Sequence, residues 1–182
     1  EALKAATQQV SEWAESNPVC VQLMSAPGVG ALTALRFVAA IDKVERFPDA
    51  HQLEAYLGLT PGEDSSSKRT SRTSITKAGP SSVRRVLVQA AWAAWRRAPN
   101  DPIVLWAKQV AGRRGPKVAI IALARKLAGV MFAIWRDKTP YDPKTSFVPI
   151  VVPTVPVPRM PNFMAVSPVV SRCQQGRQRR GG

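Results

Sequence analysis

The sequence predicts a mainly α-helical fold. A compact helical domain should contain a helix-hairpin-helix module and a basic, Ser-rich loop or short hairpin, and a disordered C-terminal tail should follow. Three observations support this prediction. Apolar residues recur at helical spacing in most segments of the chain, and Gly and Pro residues separate these segments. Hydrophobic residues make up 45% of the 182 residues, which is enough for a core.

The first segment should be the end of a longer helix that continued upstream. Its apolar residues recur at helical spacing as far as Asn17-Pro18, which breaks the pattern. These apolar residues are Leu3, Ala6, Val10 and Trp13. We therefore expect residues 1–17 to be the end of a linker helix, residues 18–141 to form the main domain, and residues 142–182 to form the tail.

A pair of helices joined by a tight turn should come next. Residues 19–24 and 31–41 are apolar at helical spacing, and the Ala-Pro-Gly-Val-Gly sequence between them is typical of a helix-hairpin-helix module. Gly28 and Gly30 let the backbone turn and approach a phosphate closely, and the following helix offers free N–H groups and a positive dipole. A structural hairpin without a ligand fits the same residues. The expected apolar frame is Val21, Met24, Val29, Leu32, Leu35 and Val38.

Four further helices are predicted from their caps and apolar faces. Asp49 should cap the first, which Gly58 ends, and Asp101 should cap the third, with Pro102 in its first position. The last, residues 117–136, is apolar over most of its circumference and should be largely buried. The other inward-facing residues should be Leu53, Tyr56 and Leu57; then Val83, Val86, Leu87, Ala90, Ala91 and Ala94; then Ile103, Leu105, Trp106 and Val110.

Between Gly58 and Gly79 the chain is polar, basic and rich in Ser, so this stretch cannot build a core. A polar loop on a rigid scaffold is where binding and catalytic residues are usually placed. Three consecutive serines are followed by four basic residues that suit a phosphate: Ser65, Ser66, Ser67, then Lys68, Arg69, Arg72 and Lys77. His51 is the single histidine and should lie on a helix surface. Serine chemistry in this loop would therefore depend on a base other than histidine.

The charge of the chain favours a polyanionic partner. The 26 Lys and Arg residues against 12 Asp and Glu residues give a formal net charge of +14, which suits nucleic acid or an anionic membrane surface. Nucleic acid is the better interpretation because the basic residues cluster. No apolar run approaches the roughly 20 residues needed to cross a bilayer, since Arg125 and Lys126 interrupt the longest run. We expect no membrane partner.

The compartment and the tail can also be predicted. Cys20 and Cys173 form neither a disulfide framework nor a metal site, and there is no signal peptide, so a reducing cytoplasm is expected. After residue 148, alternating Val and Pro cannot form a helix or a central strand. The basic tail should be disordered; it either holds nucleic acid nonspecifically or is inert.

Several motifs occur in an order that resembles one family. They are Ala26-Pro27-Gly28-Val29-Gly30, Arg46-Phe47-Pro48, Gln52-Leu53-Glu54-Ala55-Tyr56-Leu57-Gly58-Leu59-Thr60-Pro61, the serine cluster, Ile75-Thr76-Lys77-Ala78-Gly79 and Val83-Arg84-Arg85-Val86-Leu87. Over residues 19–141 this series resembles the C-terminal half of insertion-sequence transposases of the Piv/MooV class, the IS116/IS110/IS902 family.

The resemblance implies a two-part recombinase that acts on DNA in the bacterial cytoplasm, at the nucleoid. A RuvC-like N-terminal half, missing from this chain, would hold Mg²⁺, and this chain would hold no cofactor or metal. A guide (bridge) RNA and a homo-oligomeric full-length enzyme are further expected partners. The C-terminal half supplies a serine that attacks DNA and forms a phosphoserine link. We expect the isolated chain to bind DNA without cleaving it.

The resemblance also implies particular site residues. Ser66 aligns with the family's nucleophile, and Ser67 stands where the family has glycine, so Ser65 and Ser67 stay as alternatives. The residues expected to bind DNA phosphates are Gly28, Gly30, Lys68, Arg69, Arg72, Lys77, Arg84 and Arg85.

Two alternatives belong to other classes. The first is a helix-hairpin-helix DNA-binding module without chemistry. The second is a structural RNA-binding protein, but such modules usually stack bases on aromatic side chains. The Trp residues expected at core-facing positions count against the second: Trp92, Trp95, Trp106 and Trp135.

Overall fold

In the residues that the structure describes, the chain folds into helices with a two-stranded β-hairpin, which confirms the predicted mainly α-helical class. The computed structural model describes residues 1–66 and 69–144, with residues 63–66 and 69–73 described as backbone. The elements in chain order are α1 (Ala2–Ser16), α2 (Pro18–Leu23), α3 (Ala31–Ile41), a 3₁₀ turn (Val44–Arg46), α4 (Ala50–Tyr56), β1 (Pro61–Ser66), β2 (Arg69–Ile75), α5 (Ser81–Arg97), α6 (Pro102–Arg114) and α7 (Pro116–Asp137). The predicted tail lies outside the described residues from position 145.

Helix α7 is the centre of the core. It packs against α2, α4, α5, α6 and the 3₁₀ turn, so it is apolar on most sides, as the sequence predicts. Each fully buried Leu, Ile, Phe or Met side chain contributes about 1.5–3 kcal/mol. The large α7 side chains that are fully buried are Ile120, Leu123, Leu127, Met131 and Phe132.

Arg125 and Lys126 interrupt the apolar run but not the helix, since α7 continues through both residues as predicted for residues 117–136. Within the described ranges, α7 is the one helix long and apolar enough to cross a membrane, and 56% of its most apolar stretch is buried inside the protein. That burial is typical of a core helix. Arg125 is accommodated because its Nε donates to the carboxylate of Glu54, which is buried on α4. Lys126 Nζ lies 4.9 Å from the centroid of the Trp106 ring.

The predicted helix caps are confirmed. The Asp49 side chain accepts a hydrogen bond from the backbone N–H of Gln52 at 2.7 Å, and Asp101 accepts from Ile103 N at 3.0 Å. Each bond satisfies a donor that the first turn of a helix leaves free. Asp101 also accepts a bond from the hydroxyl of Tyr141 at 2.9 Å. This second bond joins the start of α6 to the segment that follows α7.

Some residues predicted to face inward are exposed. Helix α6 packs on α7 through Ile103, Val104 and Ala107, which places Leu105 on the outer face with 45% of its surface exposed. A residue one or two positions along a helix points about 100° or 200° away. The predicted inward positions of Val21, Leu32, Tyr56 and Trp92 are wrong in the same way, since all four are exposed. Tyr56 packs instead at the surface against Phe47, with ring centroids 5.2 Å apart.

Candidate nucleic-acid interface

Ser65 and Ser66 lie at the end of the first strand of an antiparallel hairpin. Strand β1 pairs with β2 so that Ser66 is opposite Arg69 and Ser65 is opposite Thr70. The ladder has an irregularity between Pro61 and Glu63. Ser66 is thus the last residue of β1, beside the tip of the hairpin. Ser67 and Lys68 lie outside the described residues.

The base of this hairpin is a close backbone contact. Gly58 has a φ of +68°, which favours glycine, and Lys77 N donates to the Gly58 carbonyl at 3.1 Å. A Cβ atom added to Gly79 would lie 1.8 Å from the Tyr56 carbonyl oxygen. Both glycines are therefore required by packing, and the two ends of the hairpin are fixed against the end of α4.

Arg84 joins the two ends of the hairpin. It lies in the first turn of α5, and its half-buried side chain donates from Nη1 to the carbonyl oxygen of Gly79 at 2.7 Å and to that of Leu57 at 3.1 Å. Arg84 was predicted from the sequence to bind phosphate, and its contacts with these two carbonyl oxygens were not predicted. The sequence signal that could have predicted these contacts is the position of Arg84 just after the loop, since a long side chain there can reach back to the backbone at the loop ends.

The neighbouring cations remain exposed. Arg85 follows Arg84 and points to solvent, and both contribute to a depression of about 320 Å³ between Ile75 and α5. Lys77 is exposed and adopts a left-handed backbone conformation with φ +56°, which is unfavourable for a side chain other than glycine or asparagine. Lys77, Arg84 and Arg85 therefore surround the exit of the hairpin. For Arg69 and Arg72 the structure gives the position in β2.

The turn between α2 and α3 has two glycines with different surroundings. Gly28 has a φ of +77°, and a Cβ added to it would lie 2.2 Å from the carbonyl oxygen of Ala90 in α5. Gly28 is therefore required by packing against α5. Gly30 is exposed, with no atom within 4 Å of an added Cβ, and it precedes the first turn of α3 without a side-chain cap. The first turn of α3 thus begins at an open surface.

Two acidic residues, Glu63 and Asp64, lie in β1 of the hairpin, where Glu63 is opposite Arg72. Acidic residues are scarce in the sequence that follows. From Ser65 to Arg136 the single acidic residue in the sequence is Asp101, which is engaged in the cap of α6 and with Tyr141. Glu54 is internal, paired with Arg125. Burial lowers the pKa of Lys126, although the Glu54 charge opposes this shift.

Within residues 1–66 and 69–144, no group of three His, Cys, Asp or Glu residues could hold a metal ion. His51 Nδ1 lies 3.1 Å from Arg125 Nη2, so the single histidine belongs to the α4–α7 contact. Its side chain is exposed there, as expected from the sequence. The described part of the chain therefore offers cations and backbone N–H groups, which bind phosphate, without a metal site.

Comparisons with known proteins match this region. The model of the transposase family IS116/IS110/IS902 matches residues 20–103. The transposase of insertion sequence element IS1111A from Coxiella burnetii is 34% identical over 143 residues, which cover 78% of this chain and 39% of that protein. The Sinorhizobium fredii protein y4qE is 33% identical over 153 residues, covering 70% of this chain and 39% of its own length.

A third relative is the 43.6 kDa protein of insertion element IS110 from Streptomyces coelicolor, 28% identical over 142 residues that cover 78% of this chain and 35% of the relative. The chain thus spans less than two fifths of the length of these curated relatives. The matched residues include the Gly28 turn, the whole hairpin and the Arg84 contact. Over residues 20–103, the chain belongs to the IS116/IS110/IS902 family of insertion-sequence transposases.

Proposed function

We propose that this chain is the DNA-binding C-terminal part of a transposase and that Ser66 is its nucleophile. The observation that carries the proposal is the position of Ser66 at the end of β1, opposite Arg69, within the residues that match the family. A hairpin whose base is fixed can present a serine and cations to one phosphate. Lys68, Arg72 and Lys77 would complete the cationic surroundings.

In the proposed reaction, the Ser66 hydroxyl oxygen attacks a phosphorus atom of the DNA backbone. The Oγ–P bond forms while one P–O bond to deoxyribose breaks. The hydroxyl proton passes to a base, and the departing sugar oxygen takes up a proton. One phosphodiester replaces another, so no external energy source is needed. Charge develops on the phosphoryl oxygens, and cations and N–H donors directed at them lower the barrier.

Other groups should come from the rest of a full-length transposase. Because no described group of residues fits a divalent metal, Mg²⁺ would be held by the part of the relatives with which this chain does not align. The base for the Ser66 proton would come from there as well. A guide RNA and a homo-oligomer belong to the same full-length assembly, which would act at the bacterial nucleoid in the cytoplasm.

The second candidate function is DNA binding through a helix-hairpin-helix module without chemistry. The open surface at Gly30, where α3 begins, favours it, because backbone N–H groups at a helix start bind phosphate. Arg84 and Arg85 would then contribute charge alone, and Gly28 would shape the turn.

A covalent trapping experiment separates the two functions. The chain, joined to or mixed with the upstream half of a relative, is incubated with transposon-end DNA, and SDS-resistant protein–DNA adducts are counted. Ser66→Ala should abolish the adduct while DNA binding is kept. Ser65→Ala and Ser67→Ala are matched controls, because each removes one hydroxyl from the same cluster.

The pattern of adducts among the variants identifies the nucleophile or excludes covalent chemistry. An adduct that survives Ser66→Ala and disappears in Ser65→Ala or Ser67→Ala assigns the chemistry to that neighbour. If no adduct forms in any variant with the upstream half present, the binding module is the better account. DNA cleavage by the isolated chain in Mg²⁺ would contradict the two-part assignment.

A further inference from the structure

We propose that the corner between α6 and α7, residues 112–117, is a second DNA-backbone contact that binds the same duplex as the hairpin. We call this segment the α6–α7 corner. It lies beyond residues 20–103, which match the family model. The proposal rests on the proposed function, because it assigns a second surface to the same DNA substrate.

The α6–α7 corner is strongly basic. Arg113 and Arg114 are exposed in the last turn of α6, and Lys117 is exposed in the first turn of α7. Within the described ranges, none of the three makes a side-chain hydrogen bond or ion pair. Three unpaired cations on six consecutive residues give a concentrated positive surface that suits phosphates.

Helix-end electrostatics explains only part of this cluster. Arginines in the last turn of a helix interact favourably with its negative end, which accounts for Arg113 and Arg114. Lys117 lies at the opposite, positive end of α7, where a cation is unfavourable. Helix-end electrostatics therefore does not explain the position of Lys117 in the part of the chain that the structure describes, and a polyanion bound at the corner would do so.

The surface at Gly112 is open. This residue lies inside α6, and no atom occurs within 4 Å of a Cβ added to it. Packing therefore does not require glycine there, although glycine in a helix costs about 1 kcal/mol relative to alanine. A backbone without a side chain allows a large partner to approach closely. Gly115 is also open, but its φ of +84° already explains the glycine.

The α6–α7 corner and the base of the hairpin lie at the same end of the helices. The Glu54 side chain of α4 contacts Arg125 of α7 and also reaches Gly129, one turn later in α7, whereas Ala50, one turn earlier in α4, lies beside Gly129 alone. The two helices are therefore antiparallel, and α4 runs toward the start of α7. The hairpin begins just after α4, so its base lies toward the start of α7, the end at which Lys117 is found.

A second pair of exposed arginines, at the opposite end of the helices, provides a control for the pair in the α6–α7 corner. Arg96 and Arg97 are exposed in the last turn of α5, as Arg113 and Arg114 are in α6. The segment after Arg97 leads to Asp101, which contacts Tyr141 beyond the end of α7. Removal of either pair changes the net charge equally, so only the place on the surface differs.

The test uses the full 182-residue chain and a labelled DNA duplex of about 30 base pairs, with binding measured by fluorescence anisotropy at several salt concentrations. Arg113→Gln with Arg114→Gln should weaken binding at least about tenfold near 0.1 M salt and reduce the slope of log K against log salt by about 2. Arg96→Gln with Arg97→Gln should change affinity less than about twofold. Lys117→Gln should lower the slope by about 1.

The Gly112→Gln variant tests whether DNA approaches the backbone closely at this position, independently of the charge of the corner. This substitution leaves the net charge unchanged and introduces a better helix former, so thermal stability should be kept or raised. DNA binding should nevertheless weaken, because the side chain fills the open space. Unchanged binding in this variant would overturn the close-approach part of the proposal.

Equal losses in the two Arg pairs would overturn the proposal, since charge would then act without regard to position. Tighter binding to an RNA duplex, lost specifically in the corner variants, would overturn the assignment of DNA. A wild-type chain that binds no DNA would instead contradict the proposed function itself.

Discussion

The Nη1 atom of Arg84 lies 2.7 Å from the carbonyl oxygen of Gly79, and this bond holds the exit of the hairpin on the first turn of α5. The same nitrogen donates to the carbonyl of Leu57, which precedes the hairpin. One guanidinium therefore fixes both ends of the segment that presents Ser66. The contact makes Arg84 structural, whatever part it plays with DNA.

Arg84→Gln should lower the free energy of unfolding by about 1–3 kcal/mol, because two carbonyl oxygens lose a charged donor. Arg85→Gln is the matched control: its side chain is exposed, so stability should change by less than about 0.5 kcal/mol while DNA affinity falls. Urea denaturation and anisotropy measure the two effects. Equal destabilisation by both substitutions would contradict the Arg84 contact.

Gly79→Ala should lower the free energy of unfolding by about 3 kcal/mol, since the new Cβ would lie 1.8 Å from the carbonyl oxygen of Tyr56, a backbone atom that cannot move freely. Gly30→Ala, where no atom lies within 4 Å, should cost less than about 1 kcal/mol. Thermal unfolding followed by circular dichroism compares the two. A stable Gly79→Ala variant would show that the base of the hairpin is looser than described.

Lys77→Gly should stabilise the fold by up to about 1 kcal/mol and weaken DNA binding. Glycine adopts the φ of +56° without the steric cost that lysine incurs, and the substitution removes an exposed charge from the hairpin exit. Lys77→Gln is the control, because it removes the charge and keeps the strain. If both variants bind DNA as tightly as the wild type, Lys77 is not a phosphate ligand.

Glu54→Gln should lower the free energy of unfolding by about 2–3 kcal/mol, because the Arg125 guanidinium loses its anionic partner in the contact between α4 and α7. Glu54→Leu combined with Arg125→Met should regain most of this loss, since an apolar pair leaves no uncompensated charge. Urea denaturation of the three proteins forms the test. No recovery in the double variant would indicate that the pair itself stabilises the fold.

The Tyr141 hydroxyl should titrate above its ordinary pKa of 10.0, because burial, the bond to Asp101 and the nearby charges of Asp101 and Asp142 all raise its pKa. Its contribution to stability is therefore complete below the unfolded pKa and is lost as pH rises through the folded one. The difference in absorbance at about 295 nm between wild type and Tyr141→Phe isolates this group. A midpoint at or below 10.0 would contradict the buried contact.

Local signals predicted the helices well. The bounds of α3 match the expectation, and Asp49 and Asp101 cap the helices they were expected to cap, because each signal acts within one turn of the chain. The errors concern contacts between distant residues. Neither the outward position of Leu105 nor the pairing of Glu54 with Arg125 can be read from spacing, since both depend on which helix packs alongside.

In the candidate site, too, local features were predicted from the sequence and contacts between distant residues were not. The residue types of the hairpin could be read directly from the sequence. The two hydrogen bonds that Arg84 donates could not, because the acceptors, Leu57 and Gly79, are separated by the whole hairpin segment. Gly28 matched a phosphate-binding pattern, yet its surroundings show a packing requirement against Ala90. A glycine pattern alone does not distinguish these two causes.

The close backbone packing at Gly58 and Gly79 separates the hairpin from the helical scaffold. Both ends are fixed to the helices by backbone atoms and by Arg84. Ile75 packs against the helical core, so we expect sequence variation to be tolerated only between Pro61 and Ile75. Lengthening a surface loop costs little, about 0.6 kcal/mol for each doubling. Hairpins from other family members can therefore be exchanged within this segment, changing the chemistry presented to DNA while the scaffold stays the same.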